Sequence, residues 1–464
     1  MASQLLLLQL CLLSLLLATS RQSSCQTLRM LLPRTLLRPG FAFLKLPVYR
    51  LLLGFTLLYW LAIDWARTRC WRDPTSAFFA EDKAYEPAYS ILRGQQANAF
   101  IDHADNNTLP FYFHTKASAH PTICVGITSV ARKDANYLQG AVGSVLEGLT
   151  VWERGGVYLI VLIAHSNPAE HPAYTEPWLH TLTDKVLLYD PDIVDIERIR
   201  ELETPEAKTS AREKGLLDYV YLLRACESLN ASYTMMLEDD VIALDGWYHR
   251  TKKALSIAEK QTIAKGMDQW LYLRLFYTEQ FLGWNSEEWP TYLLSSILAA
   301  LGVVGLTAAI RYYRPATTTY LSNKVILVLT LVIAPLLILL FFAAGRITML
   351  PIPAGVHEMP KFGCCSQGLV FPRIRIKDLV SWYESQRIGY VDVLTETYAD
   401  KNNDLRWALT PSVLQHVGSK SSKANMPGEH RHRTVSETIW NFRFEENDKE
   451  QLRWEHEQQI EPDV

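Results

Sequence analysis

The sequence predicts an α/β fold: a mainly parallel sheet flanked by helices, split by a two-helix transmembrane hairpin and preceded by a transmembrane anchor. Three observations predict it. β-Branched and apolar runs alternate with amphipathic segments between residues 121 and 240, as strands joined by crossover helices do. Two long stretches, Pro290 to Ile310 and Val325 to Ala344, carry no charge. The apolar run Tyr233 to Leu237 stops at three consecutive carboxylates, Glu238, Asp239 and Asp240.

The elements follow in chain order. Leu5 to Ala18 has the length of a signal peptide but no basic residue before it, which makes it a poor signal sequence. Pro47 to Ala66 is a spanning anchor with interfacial Tyr and Trp; Arg21, Arg29, Arg34, Arg38 and Lys45 before it hold segment 1–46 in the cytosol. Residues 67–289 form the first part of a lumenal domain. Ile123 to Val130 reads as a buried strand, then a polar turn, then a helix with Leu138, Val142, Val145, Leu146 and Leu149 on one face. Gly156 to Asn167 and Asp184 to Asp190 are further strands. "SAREKGLLDYVYLLRACESL" is an amphipathic helix leading into the strand with the acidic end.

The charge-free stretches 290–310 and 325–344 are each long enough to cross a hydrocarbon core of about 30 Å. Between them, loop 311–324 carries Arg311, Arg314 and Lys324 and no acid, so it is expected in the cytosol, with both outer flanks lumenal. The sequons Asn106-Asn107-Thr108 and Asn230-Ala231-Ser232 agree with that orientation. Residues 345–425 complete the domain, and 426–464, with "GEHRHR", read as a solvated tail.

Composition narrows the function. Lys plus Arg number 46 against 49 Asp plus Glu, so no strong field points to nucleic acid. The 12 histidines do not cluster along the chain, and the seven cysteines contain no C-x-x-C pair, which argues against a zinc module. The neighbours Cys364 and Cys365 are either two buried thiols or a vicinal disulfide suited to an oxidising lumen. No Walker A or G-x-G-x-x-G pattern is present. An isolated acidic triplet is a solvated turn or a cation site. Its place at the carboxyl end of a parallel strand, where such sheets bind ligands, favours the site.

Four features resemble the GPI-anchor N-acetylgalactosamine transferase family: "EKGLLDYVYLL" before "MMLEDDV", "GCCSQGLVFP" after the hairpin, "IGYVDVLTETYA" before "LTPSVLQHVGSKSS", and the hairpin that splits the domain. The resemblance covers roughly residues 48 to 425. The N-acetylglucosaminyltransferase IV group is similar in "LEDD" and "QHVG" but lacks the hairpin. The resemblance implies a GT-A type glycosyltransferase fold with a UDP-sugar donor and a divalent metal, Mn²⁺ being expected.

It places Asp239, Asp240 and His416 at the metal and diphosphate, with Glu238 facing the nucleotide or ribose. Ser129, Val130 and Arg132, after the first strand, are expected against uracil and ribose. Arg212 and Lys214 either reach phosphate or lie on a solvated helix face. Gln367 and Gly368 are expected to cradle the donor sugar. Asp392 is the expected general base, with Glu396, one turn later, as its rival.

The implied activity is inverting transfer of N-acetylgalactosamine from UDP-GalNAc to a mannose of the GPI-anchor glycan, free or on GPI-anchored proteins, in the Golgi lumen. The alternatives are an N-glycan branching transferase and a non-catalytic GPI-recognising membrane scaffold.

Overall fold

The computed structural model describes residues 46–106, 108, 115–132, 135–204, 210–359, 364–418 and 439–460. The apolar stretch 5–18 and the "GEHRHR" tract lie outside them. The chain forms two compact units: 1–84 with 282–351, and 85–281 with 352–464.

Among the described residues, the first unit holds three helices long and apolar enough to cross a membrane. Pro47–Arg69 opens on a proline at its start, where the missing N–H costs nothing. Trp289–Tyr313 does the same with Pro290. The third runs through Asn323–Val328, a wide π turn at Leu329–Ile333, and Ala334–Ala343. The π turn ends just before Pro335, whose ring and missing N–H disturb the regular ladder. Leu53, Leu57, Leu58, Leu294, Leu298, Leu306 and Leu331 stand exposed along these helices, as side chains facing lipid would.

Among the described residues, the second unit has ten strands. They are β1 (Ile123–Ser129), β2 (Val157–Ile163), β3 (Lys185–Leu187), β4 (Tyr233–Glu238), β5 (Val241–Ala243), β6 (Tyr272–Arg274), β7 (Gly355–Glu358), β8 (Leu369–Pro372), β9 (Arg406–Thr410) and β10 (Leu414–His416). Eight of them form one sheet in the order β3-β2-β1-β4-β8-β6-β9-β7, and β10 pairs with β5. The pairs β1–β2, β1–β4, β2–β3 and β6–β9 are parallel, while β8 and β7 run against their neighbours. The sheet is largely parallel, as its β-branched, unalternating strands require.

Two cores cover its faces. One gathers Val125, Ile127, Val142, Trp178, Trp247 and Trp407; the other gathers Ile160, Leu162, Leu222, Leu223, Phe371 and Tyr383. A disulfide from Cys124 on β1 to Cys226 on helix Ser210–Glu227 fastens that helix to the sheet. The sequence reading did not pair these two cysteines.

The end of the chain corrects the expectation of a solvated tail. Trp440, Phe442 and Phe444 are buried. The Asn441 amide donates to Gln415 Oε1 at 3.1 Å, and Gln415 Nε2 donates to the Asn441 carbonyl at 2.9 Å. Helix Lys449–Ile460 then packs through Leu452 and His456.

Candidate active site

The carboxyl ends of β1, β4 and β6 meet the amino end of β8 at one edge of the sheet. Met236 of β4 and Arg274 of β6 both lie opposite Leu369 of β8, which sets the loop Cys364–Gly368 beside Glu238. The Glu238 carboxylate accepts the Ser366 hydroxyl at 2.6 Å and the Gln367 amide at 3.1 Å. Gly368, at φ +119°, turns the chain into β8, and a Cβ there would stand 2.3 Å from Leu414 Cδ1. Glycine is the residue that fits.

Asp239 and Asp240 are buried beside one another, with Arg132 between them. Asp239 Oδ2 accepts from Ser129 Oγ at 2.6 Å and from Arg132 Nη1 at 2.7 Å. Asp240 Oδ2 lies 3.4 Å from Arg132 Nη2 and 3.5 Å from His416 Nε2. The pairing of β10 with β5 places His416 opposite Val241 and so next to Asp240. Burial pushes the Asp239 carboxyl up, and Arg132 does not fully offset it. Burial pushes Asp240 up as well, but His416 and Arg132 outweigh it and hold that group ionised. His416 is in turn raised by Asp240 against its own burial.

Among the described residues, Asp240 Oδ1 and His416 Nδ1 are buried without a hydrogen-bond partner. A carboxylate oxygen and an imidazole nitrogen left bare in a buried site suit a bound cation. Both are donors of the kind a divalent metal takes.

Behind Asp239 stands a relay absent from the sequence reading. The Ala173 amide donates to His171 Nδ1 at 3.2 Å, so the ring proton sits on Nε2. Nε2 meets Ser129 Oγ at 2.9 Å, and the serine hydroxyl is thereby aimed at Asp239. Burial, with His165 and Arg132 nearby, lowers the His171 pKa to about 4 and keeps the ring neutral. His165 Nε2 accepts from the Ala131 amide at 2.8 Å and fixes the loop after β1, in which Val130 is half-buried. His171 lies 42 positions from Ser129, and no local motif marked it.

Cys364 and Cys365 are joined as a vicinal disulfide. Their carbonyls both accept from Arg274 Nη1. The Cys365 amide donates to Asp392 Oδ2 at 3.1 Å, and Asp392 Oδ1 accepts the Val393 amide at 2.9 Å. Asp392 is half-buried at the start of helix Val391–Asn402 and adjoins the loop that holds Glu238.

Glu396 is corrected by the structure. It lies 3.1 Å from Arg274 Nη2 and 2.7 Å from Arg406 Nη1, and it also accepts the Tyr272 hydroxyl. A carboxylate held by two guanidinium groups serves as their counter-ion. Lys214 is corrected too. Its buried ammonium donates to the Ala164 carbonyl, the Tyr189 hydroxyl and Asp218, all within 3.0 Å, so it has no proton to offer a phosphate. Arg212 stays exposed, with its guanidinium over the Tyr390 ring at 5.4 Å.

Parts of the chain are similar to enzymes of N-glycan branching. Alpha-1,3-mannosyl-glycoprotein 4-beta-N-acetylglucosaminyltransferase B of Mus musculus is 27% identical over 161 residues, 33% of this chain and 28% of that protein. The corresponding enzyme C of Macaca fascicularis is 26% identical over 167 residues, 34% of each chain. Alpha-1,6-mannosyl-glycoprotein 4-beta-N-acetylglucosaminyltransferase of Gallus gallus is 23% identical over 207 residues, 41% of this chain and 43% of that one. The chain thus spans less than half the length of these relatives. Together with the family match, they set the class of protein: a glycosyltransferase. The pattern of the family described as GPI-N-acetylgalactosamine transferase PGAP4 matches residues 123–415, and the chain belongs to that family.

Proposed function

We propose that the protein transfers N-acetylgalactosamine from UDP-GalNAc to a mannose of the GPI-anchor glycan, with inversion, in the Golgi lumen and on a GT-A type fold. The observation that carries this reading is the grouping of Glu238, Asp239, Asp240 and His416 at the carboxyl edge of the sheet, with Asp240 Oδ1 and His416 Nδ1 bare, in a chain of this family. Asp239, Asp240 and His416 are the residues that would hold a divalent cation, whose charge would offset that of the departing UDP.

The rest is the work of the chain's own groups. Arg132 offsets the mutual repulsion of Asp239 and Asp240. Glu238 faces the ribose end, with Ser366 and Gln367 fixing its carboxylate. Gln367 and Gly368 border the sugar, and Gln367 Oε1 is a buried acceptor without a partner. Asp392 takes the proton of the acceptor mannose hydroxyl as its oxygen bonds to C1 of the sugar. The C1–O bond to UDP breaks, and UDP leaves with the electron pair.

In this reading the helices of the first unit anchor the enzyme in the bilayer that holds its lipid-linked acceptor. The cytosolic loop 311–324 and lumenal second unit of the charge pattern belong to the same proposal.

A donor screen tests it: purified protein, a GPI glycan acceptor and a panel of UDP-sugars, with UDP release as the readout. UDP-GalNAc should release UDP only when acceptor is present, and Asp240→Ala should abolish that release. Preference for UDP-GlcNAc with an N-glycan acceptor would overturn the assignment in favour of branching.

A further inference from the structure

Apart from the acidic triplet, three helices bring together side chains of another donor set. Glu153 comes from Val151–Gly155, His249 from Trp247–Ala264 and His456 from Lys449–Ile460. Their ligating atoms all lie within 4.8 Å of one another. The side chains of Glu153 and His456 are 5% and 2% exposed, and that of His249 is 13% exposed. The two imidazoles stack, with ring centroids 5.2 Å apart.

The surroundings of each ring are those of a metal-binding histidine. One nitrogen of each meets a carboxylate: His456 Nδ1 with Asp245 Oδ1 at 3.0 Å, and His249 Nε2 with Glu455 Oε1 at 3.4 Å. Such a partner holds the proton on that nitrogen and leaves the lone pair on the other. The other nitrogens are His456 Nε2, 3.0 Å from Glu153 Oε2, and His249 Nδ1, which is buried and has no partner.

The outer carboxylates are themselves fixed. Arg453 Nε lies 2.8 Å from Asp245, and Arg250 Nε donates to Glu455 at 2.9 Å. Glu153 is oriented by a capping box with Thr150. Gly246 makes room: a Cβ there would stand 2.5 Å from His249 Cε1.

A simpler arrangement has His456 protonated between Asp245 and Glu153 with no metal. It accounts for the His456 contacts. It leaves His249 Nδ1 without a partner, and it gives no reason for the second imidazole to stack on the first.

We propose that Glu153, His249 and His456 form a zinc site that pins the C-terminal helix to the helices carrying Glu153 and His249. Two neutral imidazoles and one carboxylate are ligands that zinc takes readily. The site is separate from the cation site at Asp240, and its role is structural, joining chain segments about 200 and 300 residues apart.

The test uses the full-length protein in detergent, stripped with chelator, equilibrated with zinc alone, desalted and measured for metal by mass spectrometry. Wild type and Asp240→Ala should each retain about one zinc per chain, and His249→Ala and Glu153→Gln should retain none. Cobalt(II) in place of zinc should give the visible d–d bands of a low-coordinate site in wild type and not in His249→Ala. Chelator should lower the Tm of wild type and leave that of His249→Ala unchanged. If His456→Ala does not fold, His249→Ala, at the more exposed edge of the cluster, decides. Absence of retained zinc in wild type, or equal retention in His249→Ala, would overturn the proposal.

Discussion

Asp240 and Asp392 carry the sharpest expectations at the scale of single residues. Asp240→Ala removes the buried carboxylate whose Oδ1 lacks a protein partner. Transfer should fall by at least about 100-fold in a protein that still folds, its Tm lowered by the lost pairing with Arg132 and His416, since charge aimed at a departing group is worth that much or more. Asp392→Asn should lower kcat by about 10²–10⁴-fold with the donor KM little changed, the signature of a lost general base. Glu396→Ala should instead lower the Tm, because it strips the counter-ion from buried Arg274 and leaves Arg406 with Asp400 alone; about 3–5 kcal/mol is typical of a buried pair broken in this way. An unchanged Tm with lost activity would return Glu396 to the role of base.

His171 makes a prediction about pH. Its pKa is about 4 in the fold against an ordinary 6.5. Between those values the unfolded chain binds the extra proton, so this contribution to stability is complete above about 6.5 and declines as pH falls toward about 4. His171→Gln keeps an N–H for Ser129 and should flatten that decline in a series of Tm measurements. His171→Leu should flatten it too but also raise the KM for the UDP-sugar, because the Ser129 hydroxyl is no longer aimed at Asp239.

Among the elements, the Cys124–Cys226 disulfide joins positions 102 residues apart. On the chain-entropy model a link of that span contributes about 4–5 kcal/mol, so the double Cys→Ser variant should unfold at clearly lower temperature. An unchanged Tm would mean that the two cores hold helix Ser210–Glu227 on the sheet without it.

The strands that were legible in the sequence are β1, β2, β3 and β4, whose residues are mostly apolar or β-forming. β6 has three residues and includes Arg274; β8 ends on Pro372; β9 begins with Arg406. Their burial comes from neighbours distant in the chain, which periodicity does not reveal. Helix Lys449–Ile460 was read as tail for a related reason: Leu452 and His456 are its buried residues among many charges.

The same logic divides the site. The acidic triplet was legible because three charges at the end of an apolar run need an explanation. Asp392 and Glu396 could not be separated, since both occupy one helix a turn apart. Arg274 and Arg406, on β6 and β9, are what distinguish them.

For the molecule as a whole, the chain passes between its two units after Ala84, Phe281 and Pro351. The second unit nevertheless closes on itself, because β4 pairs with β8, β6 with β9 and β5 with β10 across the insertion. Replacing Pro290 to Ala344 with a flexible linker should therefore preserve UDP-sugar binding. Transfer to a membrane-embedded GPI should fall roughly tenfold or more beyond any loss on a soluble GPI glycan, since the orientation given by two extra spans is removed. Equal losses on both acceptors would reduce the insertion to a support for the fold.

The product of the proposed transfer is read by mass spectrometry of GPI glycans from cells lacking this protein and re-expressing either wild type or Asp240→Ala. Wild type should restore an N-acetylhexosamine branch on a GPI mannose, and Asp240→Ala or absence of the protein should leave none. A branch that persists in cells lacking the protein, or a loss confined to N-glycan antennae, would contradict GalNAc transfer to GPI.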